Sequence, residues 1–144
     1  MKTKFTTPDI ERLGIKRSRL KEWIVLKCIK PSVQEADGRG TKHIFDRDDI
    51  YAIFFFEELI NQGLSRKLAG EIVNQFFFDL SRFSKAIKEG FHYLVISRVA
   101  VSGEKPTMHS QLIKEIPTSL PPTFSYQWAF NLRNIKDRVD AMIG

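Results

Sequence analysis

The 144-residue chain has one cysteine and three histidines. Cys28 by itself forms neither an internal disulfide nor a thiolate cluster, and its apolar neighbours predict a small buried hydrophobe. His43, His92 and His109 stand at no metal-ligand spacing with one another or with a carboxylate. No Gly-rich phosphate loop follows a strand, and Gly38-Arg39-Gly40 is too short to mean more than a turn. Asp46, Asp48 and Asp49 lie close together, but where a helix start would use them, and Glu57-Glu58 reads as a solvated face. Neither catalysis nor a cofactor nor a bound metal is expected. No run approaches the roughly 18 apolar residues of a membrane span, and residues 1–8 lack the apolar stretch of a signal peptide. A cytoplasmic protein without membrane contact is the expectation.

What the chain does have is unevenly placed charge. Residues 1–45 hold eleven Lys/Arg against five Asp/Glu while residues 46–144 hold twelve of each, so the whole formal net charge of +6 falls in the first third. The run Ile15-Lys16-Arg17-Ser18-Arg19-Leu20-Lys21-Glu22-Trp23 follows Gly14 and separates basic from apolar residues at helical spacing. A cationic helix entered through a tight turn is a common way for a protein to meet DNA.

The punctuation predicts an α+β protein, mainly helical. Thr7, Pro8 and Asp9 suit a helix start over residues 8–13, ended by Gly14. A second helix over residues 17–25 turns Ile15, Leu20, Trp23 and Ile24 inward and Arg17, Arg19 and Lys21 outward. The two read as a helix-turn-helix. Residues 26–32, closed by Pro31, are expected to be extended, and the Asp37-Gly38 turn between two short runs predicts a hairpin. Asp46 then caps a very apolar helix over residues 47–62, with Asp49 in capping-box position. Ser65 caps another, whose apolar positions Leu68, Ile72, Phe76, Leu80, Phe83 and Ile87 allow one helix to residue 88, with Phe76-Phe77-Phe78 as packing. Period-two alternation in residues 91–101 and a run at 110–116 predict a second hairpin. Residues 117–122 are a proline-rich connector. Trp128, Leu132, Ile135, Val139 and Met142 then step by four and three, the seam of a short amphipathic helix that needs a partner.

Taken together, helix, Gly-Ile turn, basic helix ending in Leu-Lys-x-Trp, Ile29-Lys30-Pro31, Gly-rich hairpin, Phe45-Asp46-Arg47-Asp48-Asp49-Ile50 and Gln62-Gly63-Leu64-Ser65 resemble the winged DNA-binding domain of MerR-type transcription regulators, over about residues 5–76. The resemblance implies a winged helix-turn-helix in residues 1–78, its second helix in the major groove and its hairpin wing on the backbone. Residues 79–144 then supply a helix, a β-hairpin and a C-terminal amphipathic helix for dimerisation or for binding a partner or effector. Lys16 stands where the family caps its recognition helix with Ser, making Ser18 an alternative cap. His43 takes the place of the usual wing arginine, which leaves Arg39 and Lys42 for phosphates. Lys27 replaces a glycine and predicts a different turn.

Arg17 and Arg19 are the candidate base readers, since guanidinium suits guanine edges. Lys16, Lys21, Arg39 and Lys42 suit phosphates, and Ser18, Trp23 and His43 complete the candidate DNA-binding set. Trp23 and Phe45 are expected to pack between recognition helix, wing and the helix after Asp46, with the Trp23 indole NH near a phosphate. The expected partners are double-stranded DNA and a second copy of the chain, with an unidentified effector or protein partner beyond them. A phage or mobile-element protein for packaging or excision, or a protein-docking adaptor, would carry the same features.

Overall fold

A computed structural model describes residues 2–79, 82–100, 102–105, 107–116 and 124–144; the proline-rich connector lies outside them. The protein is α+β and divides into two compact units, Met1–Phe83 with Ile135–Gly144, and Ser84–Asn134. The division falls a few residues beyond 78, and the last ten residues of the chain belong with the first unit.

The first unit starts with β1 (Lys4–Thr6), too short to be read from the sequence, which pairs antiparallel with β2 (Ile44–Asp46) so that Phe5 faces Phe45. Helix α1 (Thr7–Arg12) follows at once, and its cap is Thr6 rather than Thr7: Asp9 accepts from the Thr6 N–H at 2.8 Å and from its hydroxyl at 3.0 Å. Burial pushes the Asp9 carboxyl up, but Thr6 and Lys2 outweigh it and hold the group well below the usual carboxylate range. Helix α2 (Arg17–Val25) has the expected bounds, and Ile15, Leu20, Trp23 and Ile24 are all buried.

Helix α3 (Arg47–Asn61) carries apolar residues on nearly every face, and a helix of that kind must lie inside. Ile50, Ile53, Phe55, Phe56 and Leu59 are wholly buried, and the Asp46/Asp49 capping box forms as expected. Asp49 does more than cap. It is fully buried and accepts from Ser32 N (2.9 Å), Ser32 Oγ (2.6 Å) and Asp46 N (3.0 Å), with Arg82 Nη2 at 3.2 Å.

The long helix expected over residues 66–88 is broken. Helix α4 (Arg66–Val73) opens into a π-helical turn (Asn74–Asp79), and α5 (Phe83–Lys88) starts afresh. The core explains the break. Phe77 packs on Phe55 and Phe83 at centroid distances of 5.5 and 4.8 Å, and Phe83 also lies 5.5 Å from Tyr51. Six residues of continuous α-helix would set Phe77 and Phe83 about 120° apart, facing different sides.

The second unit holds a three-stranded antiparallel sheet in the order β4-β3-β5. Strands β3 (Tyr93–Val99) and β4 (Thr107–Ile113) form a hairpin as expected, although β4 begins and ends three residues before the expected 110–116 run, with Ile96 opposite Ser110. Strand β5 (Phe124–Asn131) corrects the helical seam: Trp128 sits in a strand opposite Ile96 and is 36% exposed. Helix α6 (Leu132–Ile143) begins only after Asn131, whose side chain accepts from Asn134 N at 2.9 Å.

From Ile135 onward α6 belongs to the first unit, where Ile135 and Val139 are buried. Asp140 anchors it to α3: Lys136 Nζ lies 2.8 Å and Arg47 Nη2 3.1 Å from its carboxylate, and Tyr51 donates its hydroxyl to it. Burial raises the Asp140 carboxyl, but these three donors outweigh it and hold it below its ordinary value. Among the described residues no helix is long and apolar enough to cross a membrane.

Candidate nucleic-acid interface

The turn from α1 into α2 requires a left-handed residue, and Gly14 supplies it with φ 106°. Past that turn the 3.6-residue period sends Leu20, Trp23 and Ile24 into the core and leaves Lys16, Arg17, Ser18 and Lys21 exposed. Lys16 is the N-cap residue, without a side-chain capping bond, and Ser18 lies inside the helix. The first-turn N–H groups of α2 therefore lack the usual side-chain acceptor, at the end of a helix that favours anions.

Arg17 and Arg19 each face an acid from another helix. Arg17 Nε donates to Glu11 Oε2 at 3.0 Å. The Arg19 guanidinium stacks over the Trp23 ring at 5.0 Å, and its Nη1 lies 3.7 Å from Glu57 Oε2. Glu57 is thus no part of a solvated face: its side chain is 24% exposed. The acid within α2 itself, Glu22, is paired with Arg66 of α4. Residue types and local spacing give no sign of these three pairs, because Gly14 interrupts the helical period between Glu11 and Arg17, and Glu57 and Arg66 come from distant segments.

Trp23 leaves the list of contact residues. It is 2% exposed and packs edge-on against Phe56 at 4.9 Å, so it supports Arg19 and offers little surface to a phosphate. Phe45 is wholly buried, as its expected packing requires.

The segment expected to be a wing hairpin is an irregular loop. One isolated bridge joins Gln34 to Ile44, and side chains complete the closure. Gln34 Nε2 donates to Lys42 O (2.8 Å), Ala36 N to His43 Nδ1 (3.0 Å) and Asp37 N to Thr41 Oγ1 (2.7 Å). A strand ladder is replaced because the Gln34, Thr41 and His43 side chains bond the loop backbone locally, around Gly38 and Gly40 at positive φ. Arg39 and Lys42 are exposed, whereas His43 is half-buried and closes the loop through its ring.

At the far end of α2 the structure keeps the turn that a glycine would make. Lys27 has φ 63°, Lys27 N donates to Ile24 O (3.0 Å) and Cys28 N to Trp23 O (2.9 Å), the paired bonds of a Schellman cap. Asn74 Nδ2 holds the Lys27 carbonyl at 2.9 Å. Cys28 is buried, burial pushes its thiol up, and α4 approaches it through Gly70, where a Cβ would lie 3.0 Å from the sulfur. A left-handed lysine is strained, so Lys27→Gly should raise stability by roughly 0.5–1 kcal/mol, after allowance for the looser unfolded chain. The denaturant midpoint measures it, and a lower midpoint would show that the lysine stem stabilises more than its backbone costs.

The described residues contain no group of three His, Cys, Asp or Glu arranged to hold a metal ion. No protein-family model matches the chain, and comparison with curated proteins gives no match.

Proposed function

We propose that this chain binds double-stranded DNA sequence-specifically, as a MerR-like transcriptional regulator with α2 in the major groove and the 34–44 loop on the flanking backbone. The observation that carries the reading is the basic outer face of α2. Lys16, Arg17 and Lys21 stand exposed at the positions the hydrophobic period leaves free, while Glu22 is neutralised by Arg66. Arg39 and Lys42 add exposed charge on the loop. A winged helix-turn-helix is the finer description that goes with this reading, supported by the α1-turn-α2 pair and the β1/β2 ribbon, with an irregular loop in place of a laddered wing. A cytoplasmic location goes with it.

A homodimer belongs to the same proposal, through the two-fold symmetry of paired DNA half-sites rather than through the C-terminal seam. The seam residues Ile135 and Val139 are buried within one chain, and Trp128 lies on a strand. What remains is symmetry: a dimer presents two recognition helices and prefers an inverted repeat with half-sites about one helical turn apart.

Arg17 and Arg19 read bases in this account. Arg17→Ala or Arg19→Ala should cost about 1–3 kcal/mol on the best site and relax preference there, whereas Lys21→Ala or Lys42→Ala should weaken all duplexes alike and flatten the salt dependence. Fluorescence anisotropy on specific and random duplexes separates the two classes. Equal losses on both duplexes for all four variants would remove the division of labour.

A further inference from the structure

We propose that β4 is a self-pairing edge, joining two copies of the chain β4 to β4, antiparallel about a two-fold axis at Ser110, so that two three-stranded sheets become one of six strands. Among the described residues β4 has one strand neighbour, β3. The backbone N–H and C=O groups along its other side are a template for a further strand, and proteins usually guard such an edge with a charge, a proline, a bulge or a very short strand. Strand β4 uses none of these. Its seven residues, Thr107–Ile113, include no acid, lysine, arginine or proline, and they pair with β3 without a register shift. Thr107, Met108, His109 and Gln111 are exposed.

Charge selects the occupant and the register. Glu104-Lys105 stands just before the strand and Lys114-Glu115 just after it, an order that is complementary to itself when two copies run antiparallel. With Ser110 on the axis, Lys105 stands opposite Glu115 of the second copy, and Lys114 is diagonal to its Glu104; symmetry makes each contact twice. Lys105 and Glu115 are exposed. Between these charges Met108 meets Leu112 of the second copy. Both lie on the face where Leu112 pairs with Leu94 and Ser110 with Ile96, so the apolar side runs on across the joint. Slipping the pairing by two residues sets Lys105 opposite Ile113 or Pro117 instead. An unrelated strand has no reason to carry the mirrored charges, whereas a second copy carries them by identity.

The opposite edge of the sheet lacks this signal. The register of β5 with β3 shifts beside Val99, and no acid occurs within five residues of either end of Phe124–Asn131. The β4 contact gives the homodimer an interface. Its consequence for DNA, an inverted repeat, rests on the DNA-binding reading; the pairing itself does not.

The test uses the full chain without DNA, with the dimer dissociation constant read by sedimentation over a concentration series. Lys105→Glu and Glu115→Lys should each raise that constant roughly tenfold, because each sets like charges opposite one another at both symmetric contacts. The double reversal re-forms the pairs and should return the constant close to the parental value. Ser110→Cys sets two thiols opposite each other at the axis, within disulfide reach, so oxidised glutathione should link that variant into a covalent dimer. The native Cys28, 5% exposed, does not compete. Ala129→Cys, at an exposed position on β5, should remain unlinked. A chain that stays monomeric throughout, a dimer indifferent to the single reversals, single losses that the double reversal does not repair, or linking through Ala129→Cys rather than Ser110→Cys would each overturn the proposal. Absence of an enriched DNA site would leave this pairing standing, and a monomer here would leave base contact by α2 untouched and remove only the inverted repeat.

Discussion

Trp23→Ala should destabilise the first unit by roughly 3–5 kcal/mol, the cost of truncating a large buried aromatic. The ring is 2% exposed, sits edge-on to Phe56 at 4.9 Å and supports the Arg19 guanidinium at 5.0 Å. Its removal empties the contact that Trp23 makes between α2 and Phe56 of α3. For a chain of this size the melting temperature should fall by on the order of 10–20 °C. Trp23→Phe keeps an aromatic edge against Phe56 and should lose much less. A Trp23→Ala protein that melts like its parent would place the ring on the surface and undo the core that aims α2.

Asp49→Ala should have an effect of similar size for a different reason. The carboxylate is wholly buried, yet it collects the Ser32 N–H and hydroxyl, the Asp46 N–H and the Arg82 guanidinium. Burial pushes the group up and the Ser32 and Asp46 donors pull against it. Deleting it strands two backbone N–H groups and leaves Arg82 to Asp46, and such a loss costs about 3–5 kcal/mol. Asp49→Asn retains one acceptor oxygen for the three bonds that converge on Oδ2, so it should recover part of the loss and fall between parent and alanine variant. Urea unfolding of the three proteins checks the order. An alanine variant within 1 kcal/mol of the parent would mean that the donors find water instead.

The elements that were legible in the sequence are those whose signals are local. Helix α2 follows from Gly14 and the spacing of Leu20, Trp23 and Ile24, and α3 from the Asp46/Asp49 capping box before an unbroken apolar run. The second hairpin shows in the alternation of Tyr93 to Val99. Strand β1 was hidden because three residues carry no period, and its stability comes from Phe45, forty residues away. The break after Val73 was hidden because Phe76, Leu80 and Phe83 happen to keep helical spacing while the core uses Phe77. Trp128 and Leu132 are four apart by coincidence of a strand end and a helix start; the alternation of Phe124, Tyr126, Trp128 and Phe130 was the signal to weigh against it.

The same distinction governs the candidate interface. Which side of α2 faces out was readable from its period. What its arginines rest on was not, since Glu57 of α3 and Glu11 across the Gly14 turn meet them only in three dimensions. The loop likewise showed its Asp-Gly turn in the sequence, but its closure depends on His43 accepting a backbone N–H, for which residue type and spacing give no sign.

Selection of bound sequences from random duplex DNA, followed by a salt titration on the winner, addresses the central claim most directly. The account predicts a defined enriched site, arranged as an inverted repeat for a dimer, and an affinity that falls with log salt at a slope of about −3 to −5, as four or five phosphates are engaged. No enriched sequence, together with binding that is indifferent to salt, would contradict it and make α2 a solvated basic helix or a protein-docking surface.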